Sequence, residues 1–144
     1  VSQRAALDPP RTRRERMLAP ALTIGGLGAA TVALHVRDPH VGGSWGVCPT
    51  ALMGFACPGC GGLRAVNDLT HLDLAAAASS NLAFVVAAPF LVVGLALWAL
   101  GRWRGRPLLR VPAAAVQPVA FTALVLLLVF SVLRNLPAGS WLAP

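Results

Sequence analysis

The chain has 144 residues, 56% hydrophobic and only 12% charged, with a mean hydropathy of +0.69. Soluble domains carry about 25% charged residues, so this composition excludes an ordinary water-soluble fold and predicts a single-domain integral membrane protein. All twelve basic residues are arginine, but the net charge of +7 does not make a nucleic-acid surface. The arginines stand at the ends of apolar runs, and no aromatic–basic pattern is interleaved with them.

In chain order, residues 1–17 are polar and Arg-rich, with Pro9-Pro10, and read as a flexible cytoplasmic tail that orders only against a partner. Residues 18–144 form one membrane domain. Its first apolar run, 18–36, spans about 28 Å at ~1.5 Å per residue, close to the thickness of a bilayer's hydrocarbon core. Arg37-Asp38-Pro39 ends it. A loop rich in Gly, Pro and Cys follows, and residues 63–80 read as one or two short helices lying at the surface, with Asp73 capping the second. Asn81 is the N-cap of a second span, 82–100, which Pro89 is expected to bend. A short loop with four arginines leads to a third span, 113–133, with Pro118 in its first turns. The fold class is therefore all-α integral membrane, with three transmembrane helices plus one or two interfacial helices after an extracytoplasmic Cys loop.

Arg4, Arg11, Arg13, Arg14 and Arg16 precede the first span, and Arg102, Arg104, Arg106 and Arg110 follow the second; Arg37, Arg64 and Arg134 fall on the other side. The positive-inside rule then places the N-terminus in the cytoplasm and the Cys loop and C-terminus outside a bacterial plasma membrane. Trp103 and Trp141 suit interfacial anchors. No small-x-small cleavage site follows the first run, which reads as a retained span and not as a signal peptide. Within it, Gly25/Ala29 and Gly26/Ala30 form two small-x-x-x-small pairs, a face suited to close helix packing within the bundle or against another protein.

The chemistry-bearing stretch is the loop holding all three cysteines. Cys57-Pro58-Gly59-Cys60 opens a helix, where unpaired N–H groups stabilise a thiolate, and Arg64 stands one turn beyond. Three readings stay open. Cys48 bridged to Cys57 or Cys60 closes a loop of about ten residues, a structural staple that contributes roughly 2–3 kcal/mol. Cys57 and Cys60 with Cys48 as resolving thiol make a thiol–disulfide exchanger. The three cysteines with His35, His40 or His71 make a Cys3His metal set, although C-x8-C-x2-C is not a recognised finger spacing. The second and third spans hold no Asp, Glu, His, Lys or Arg, which excludes a proton relay through them. No Ser-His-Asp order or phosphate-cradling Gly loop is present, and Asp68 and Asp73 are unsupported as an acid–base pair.

The run Cys48-Pro49, Gly54, Cys57-Pro58-Gly59-Cys60-Gly61, Arg64-Ala65, Asp73-Leu74, Ala77 and Asn81 resembles a family of small bacterial membrane proteins known as domain of unknown function 2752. The likeness covers residues 48 to about 100 and centres on C-P-G-C-G-x-x-R-A. Leu72 stands where the family usually has Gly and Leu82 where it usually has Pro, which implies a slightly different turn geometry. The family implies an architecture more than an activity. The Arg-only, Ala-rich composition resembles high-GC actinobacterial chains, whose small members of this type are similar to accessory subunits of the cytochrome bcc–cytochrome oxidase supercomplex. That resemblance implies a non-catalytic accessory or assembly subunit with no cofactor of its own, partnered by cytochrome bcc and cytochrome oxidase subunits and the lipid bilayer.

Overall fold

A computed structural model describes residues 12–41, 45, 48–108 and 111–142. The Arg-rich segment before Thr12, and Arg110, lie outside the described residues. Helix α1, Arg13–Val36, begins five residues before the apolar run because Thr12 and Glu15 form a reciprocal capping box: Glu15 N–H donates to Thr12 Oγ1 at 3.3 Å and Thr12 N–H to Glu15 Oε2 at 2.9 Å. The short α2, Pro49–Leu52, follows Cys48 with proline in its first turn, a position where no N–H is needed. Helix α3, Gly62–Thr70, starts after Gly61, whose φ of 78° lets the chain turn sharply out of the Cys loop.

Helix α4, Leu74–Arg104, joins the second surface helix to the second span through a break at Asn81 (φ −160°, ψ 92°). Asp73 caps its start, accepting from Ala76 N–H at 2.9 Å, and Asn81 caps the spanning part, accepting from Phe84 N–H at 2.9 Å. The departure from helical torsion falls at Asn81, and Pro89 lies inside the spanning part. Helix α5, Ala113–Arg134, carries Pro118 and is followed by a 3-10 turn, Pro137–Leu142. No strand occurs among the described residues.

Three helices are long and apolar enough to cross a membrane, and the chain is a multi-pass membrane protein with an all-α fold. Spans α1 and α4 pack on each other, and the shorter elements gather at one end of them. There α3 packs on α4 and α1, and the C-terminal turn packs on α5 and α4. Helix α5 does not pack along either of the other spans and is tied in through its C-terminal end. At the opposite end, Arg13 lies over the Trp103 ring at 4.5 Å and Arg16 reaches Gly105, so the two arginine-bearing segments meet. Between the two ends the spans show apolar side chains outward, as a lipid-facing surface requires.

The turn between α3 and α4 holds Leu72 at φ 63°, the left-handed region that glycine occupies without a Cβ penalty. Leu72 is 88% exposed and gains little from packing. Leu72→Gly is expected to stabilise the protein by about 1 kcal/mol, read as a higher thermal midpoint in detergent.

Candidate functional site

The Cys loop folds back so that its sulfur atoms converge. Cys48 caps α2, whose turn is closed by Phe55 N–H donating to Thr50 O at 2.9 Å. The next turn, Cys57-Pro58-Gly59-Cys60, is closed by Cys60 N–H donating to Cys57 O at 3.0 Å. Cys60 Sγ then lies 3.3 Å from Cys48 Sγ and 3.2 Å from Cys57 Sγ. All three are free thiols. Thr50 Oγ1 sits 3.1 Å from Cys48 Sγ and 3.6 Å from Cys60 Sγ. Cys60 is buried, whereas Cys48 and Cys57 are half-buried.

These surroundings separate the thiols electrically. Hydrogen bonding to Thr50, then to the Ala51 backbone and to Cys60, pulls the Cys48 thiol down to about 6. Cys57 is also lowered, chiefly by its hydrogen bond with Cys60. Burial pushes Cys60 up. Cys48 is thus the thiol most readily ionised, a role that residue order alone does not assign to it.

The loop is held from beneath by Arg134, which is only 2% exposed. Its Nη1 donates to Cys57 O at 2.9 Å and Cys60 O at 3.0 Å, and its Nη2 to Ser80 O at 3.4 Å. Asn81, equally buried, donates from Nδ2 to Pro58 O at 2.8 Å and Cys60 O at 3.1 Å. Asn135 pairs with the backbone of Ala56 in both directions, accepting its N–H and donating to its carbonyl, each at 2.9 Å. Every carbonyl of the turn that the helices approach therefore finds a donor, as burial demands.

The cation at the loop is Arg134, not Arg64: no hydrogen bond or ion pair joins Arg64 to the cysteines among the described residues. At the sequence level Arg134 is indistinguishable from an interfacial arginine closing an apolar run. Asn81 was legible as a cap, but not as a donor to the Cys turn. The histidines stand apart from the sulfurs. His35 and His71 stack at 4.3 Å, and His40 Nε2 lies 3.4 Å from the buried Asp68, which accepts from Ser80 Oγ at 2.8 Å. The Cys3His set is not assembled, and the three sulfur atoms alone form the metal-competent group among the described residues.

The face formed by Gly25, Gly26, Ala29 and Ala30 is exposed, and a Cβ added at Gly25 or Gly26 would meet nothing within 4 Å. Packing among the described residues does not use it. At the arginine end, a cavity of about 410 Å³ is bordered by Arg16, Trp98, Gly101 and Arg102.

Fold and loop together define a small multi-pass membrane protein with a three-thiol cluster at one end of its helices. Residues 48–95 match the family described as "Protein of unknown function (DUF2752)". The match runs from Cys48 into the spanning part of α4 and leaves Arg134 and Asn135 outside. No curated protein and no solved structure matches the chain.

Arg134→Gln strands buried carbonyls of the Cys turn and is expected to cost about 3 kcal/mol, seen as a lowered thermal midpoint; Arg134→Lys should recover only part, because an ammonium lacks the planar fork. Alkylation of the reduced protein, mapped by mass spectrometry, should modify Cys48 first, with a rate that rises through about pH 6 as its thiolate forms. Since this value lies below the ordinary thiol's 9.0, the stability it contributes is present above pH 9 and lost as pH falls through 6. A Cys48 rate that rises only near pH 9 would contradict this ionisation.

Proposed function

We propose that this protein is a non-catalytic accessory or assembly subunit of a larger membrane complex. The observation that carries the reading is the set of helix surfaces its own fold leaves uncovered. Helix α5 packs along neither other span, and the Gly25, Gly26, Ala29 and Ala30 face of α1 is open. In lipid, helices associate through close van der Waals contact, for which small residues are suited and bulky ones are not. A three-helix chain whose third span packs along neither of the other two is better matched to a seat against larger subunits than to independent work.

The particular complex proposed is the actinobacterial cytochrome bcc–cytochrome oxidase supercomplex, with this chain holding no electron-transfer cofactor of its own. The orientation proposed is N-terminus in the cytoplasm and Cys loop outside the plasma membrane, supported by the meeting of Arg13 and Arg16 with Trp103 and Gly105 at one end. The Cys loop then faces the side where electrons pass between cytochromes.

A tagged pull-down from native membranes in mild detergent, followed by visible absorption and mass spectrometry, tests this. Haem bands together with bcc and oxidase subunits are expected. Gly26→Leu with Ala30→Leu should cut that recovery severalfold while leaving the thermal midpoint of the isolated chain unchanged. A colourless protein that purifies alone and monodisperse overturns the reading and shifts it to thiol–disulfide exchange through Cys48, Cys57 and Cys60.

A further inference from the structure

We infer that Cys48, Cys57 and Cys60 form a three-thiolate site for a zinc ion, with its fourth coordination position open toward solvent or a partner's ligand. The three Sγ atoms lie within 4.8 Å of one another. A tetrahedral zinc with Zn–S bonds of about 2.3 Å holds its sulfurs about 3.8 Å apart, so the contacts of 3.2 and 3.3 Å open slightly and the Cys48–Cys57 pair, within 4.8 Å, adjusts with them by side-chain rotation. A disulfide would use two of these sulfurs and strand the third, whereas Cys60 Sγ is nearly equidistant from both neighbours.

The sulfurs are also surrounded as metal thiolates are. Thr50 Oγ1 sits 3.1 Å from Cys48 Sγ and 3.6 Å from Cys60 Sγ, within hydrogen-bonding reach of both. Donors aimed at sulfur suit a ligand that keeps its negative charge. Behind the ligands, Arg134 and Asn81 fix the carbonyls of Cys57, Pro58 and Cys60, the outer shell that orients metal ligands.

Charge balance favours a divalent ion, and an all-thiolate set suits zinc among them. Arg134 is a buried cation with no carboxylate partner among the described residues. Three thiolates on a divalent ion carry one net negative charge, which cancels the guanidinium; a monovalent ion would leave two. Binding is Zn²⁺ plus three thiols giving a tris-thiolate zinc centre of charge −1 and three released protons, with no change of oxidation state.

The test uses the full chain in mild detergent, reduced and kept anaerobic. Cobalt(II) should bind one per chain with thiolate-to-cobalt charge-transfer absorption, and one equivalent of zinc should bleach it. Zinc should shield all three cysteines from iodoacetamide together, and Cys48→Ser should weaken zinc binding by at least about tenfold. Because that variant risks misfolding, the shielding of the unaltered protein decides on its own. Shielding of two thiols or none, cobalt uptake without a one-to-one end point, or zinc affinity unchanged in a folded Cys48→Ser protein each overturns the site.

Discussion

The guanidinium of Arg134 reaches three backbone carbonyls from two distant parts of the chain: those of Cys57 and Cys60 in the Cys turn and that of Ser80. A buried cation needs acceptors in place of water, and backbone oxygens supply them to Nη1 and Nη2, whereas Nε is buried with no hydrogen-bond partner among the described residues. The contact fixes the end of α5, the Cys turn and the break at Asn81 relative to one another. Since α5 packs along neither other span, this end-on attachment, with Asn135 bound to Ala56, sets its place in the fold. The Phe130 ring, 5.0 Å from the guanidinium carbon, covers it from the α5 side.

From that attachment the remaining polar order follows. Ser80, whose carbonyl accepts from Arg134, donates its hydroxyl to Asp68, and Asp68 is approached by His40. Asn67 on the same helix donates to Leu34 O at 2.7 Å and so ties α3 to the end of α1. The interior of this protein is thus largely a polar network at one end of the helices. The lengths of helix between the two ends contribute little internal burial, because apolar side chains there face a solvent as apolar as themselves.

The cysteine cluster and this network are one construction. Donors spent on the carbonyls of Cys57, Pro58 and Cys60 leave the sulfurs free to point toward one another and toward Thr50. A loop so held keeps its three thiols together without a covalent link, which a metal ion or an exchange partner requires and a purely structural bridge does not. The neighbouring turn at Leu72 shows the same priority of geometry over residue preference: its left-handed torsion persists although leucine is strained there.

The sequence by itself determined the membrane class, the three spans, the caps at Asp73 and Asn81, and the stretch in which all the cysteines fall. Apolar runs of fixed length and local side-chain-to-backbone contacts are properties of neighbouring residues, so they are written in order along the chain. Two ends differed: Thr12 and Glu15 draw α1 back to Arg13, and α4 continues past Leu100 to Arg104. Only the tertiary structure decided which arginine serves the cysteine loop. Arg64 is four residues from Cys60 and Arg134 is seventy-four, yet the distant one makes the contact. Its acceptors are backbone carbonyls, which every residue carries and no residue pattern marks, and an arginine closing an apolar run reads the same whether it turns out to water or in to protein. The convergence of Cys48 on Cys60, and the exclusion of the histidines from that cluster, depend likewise on where the intervening turns send the chain.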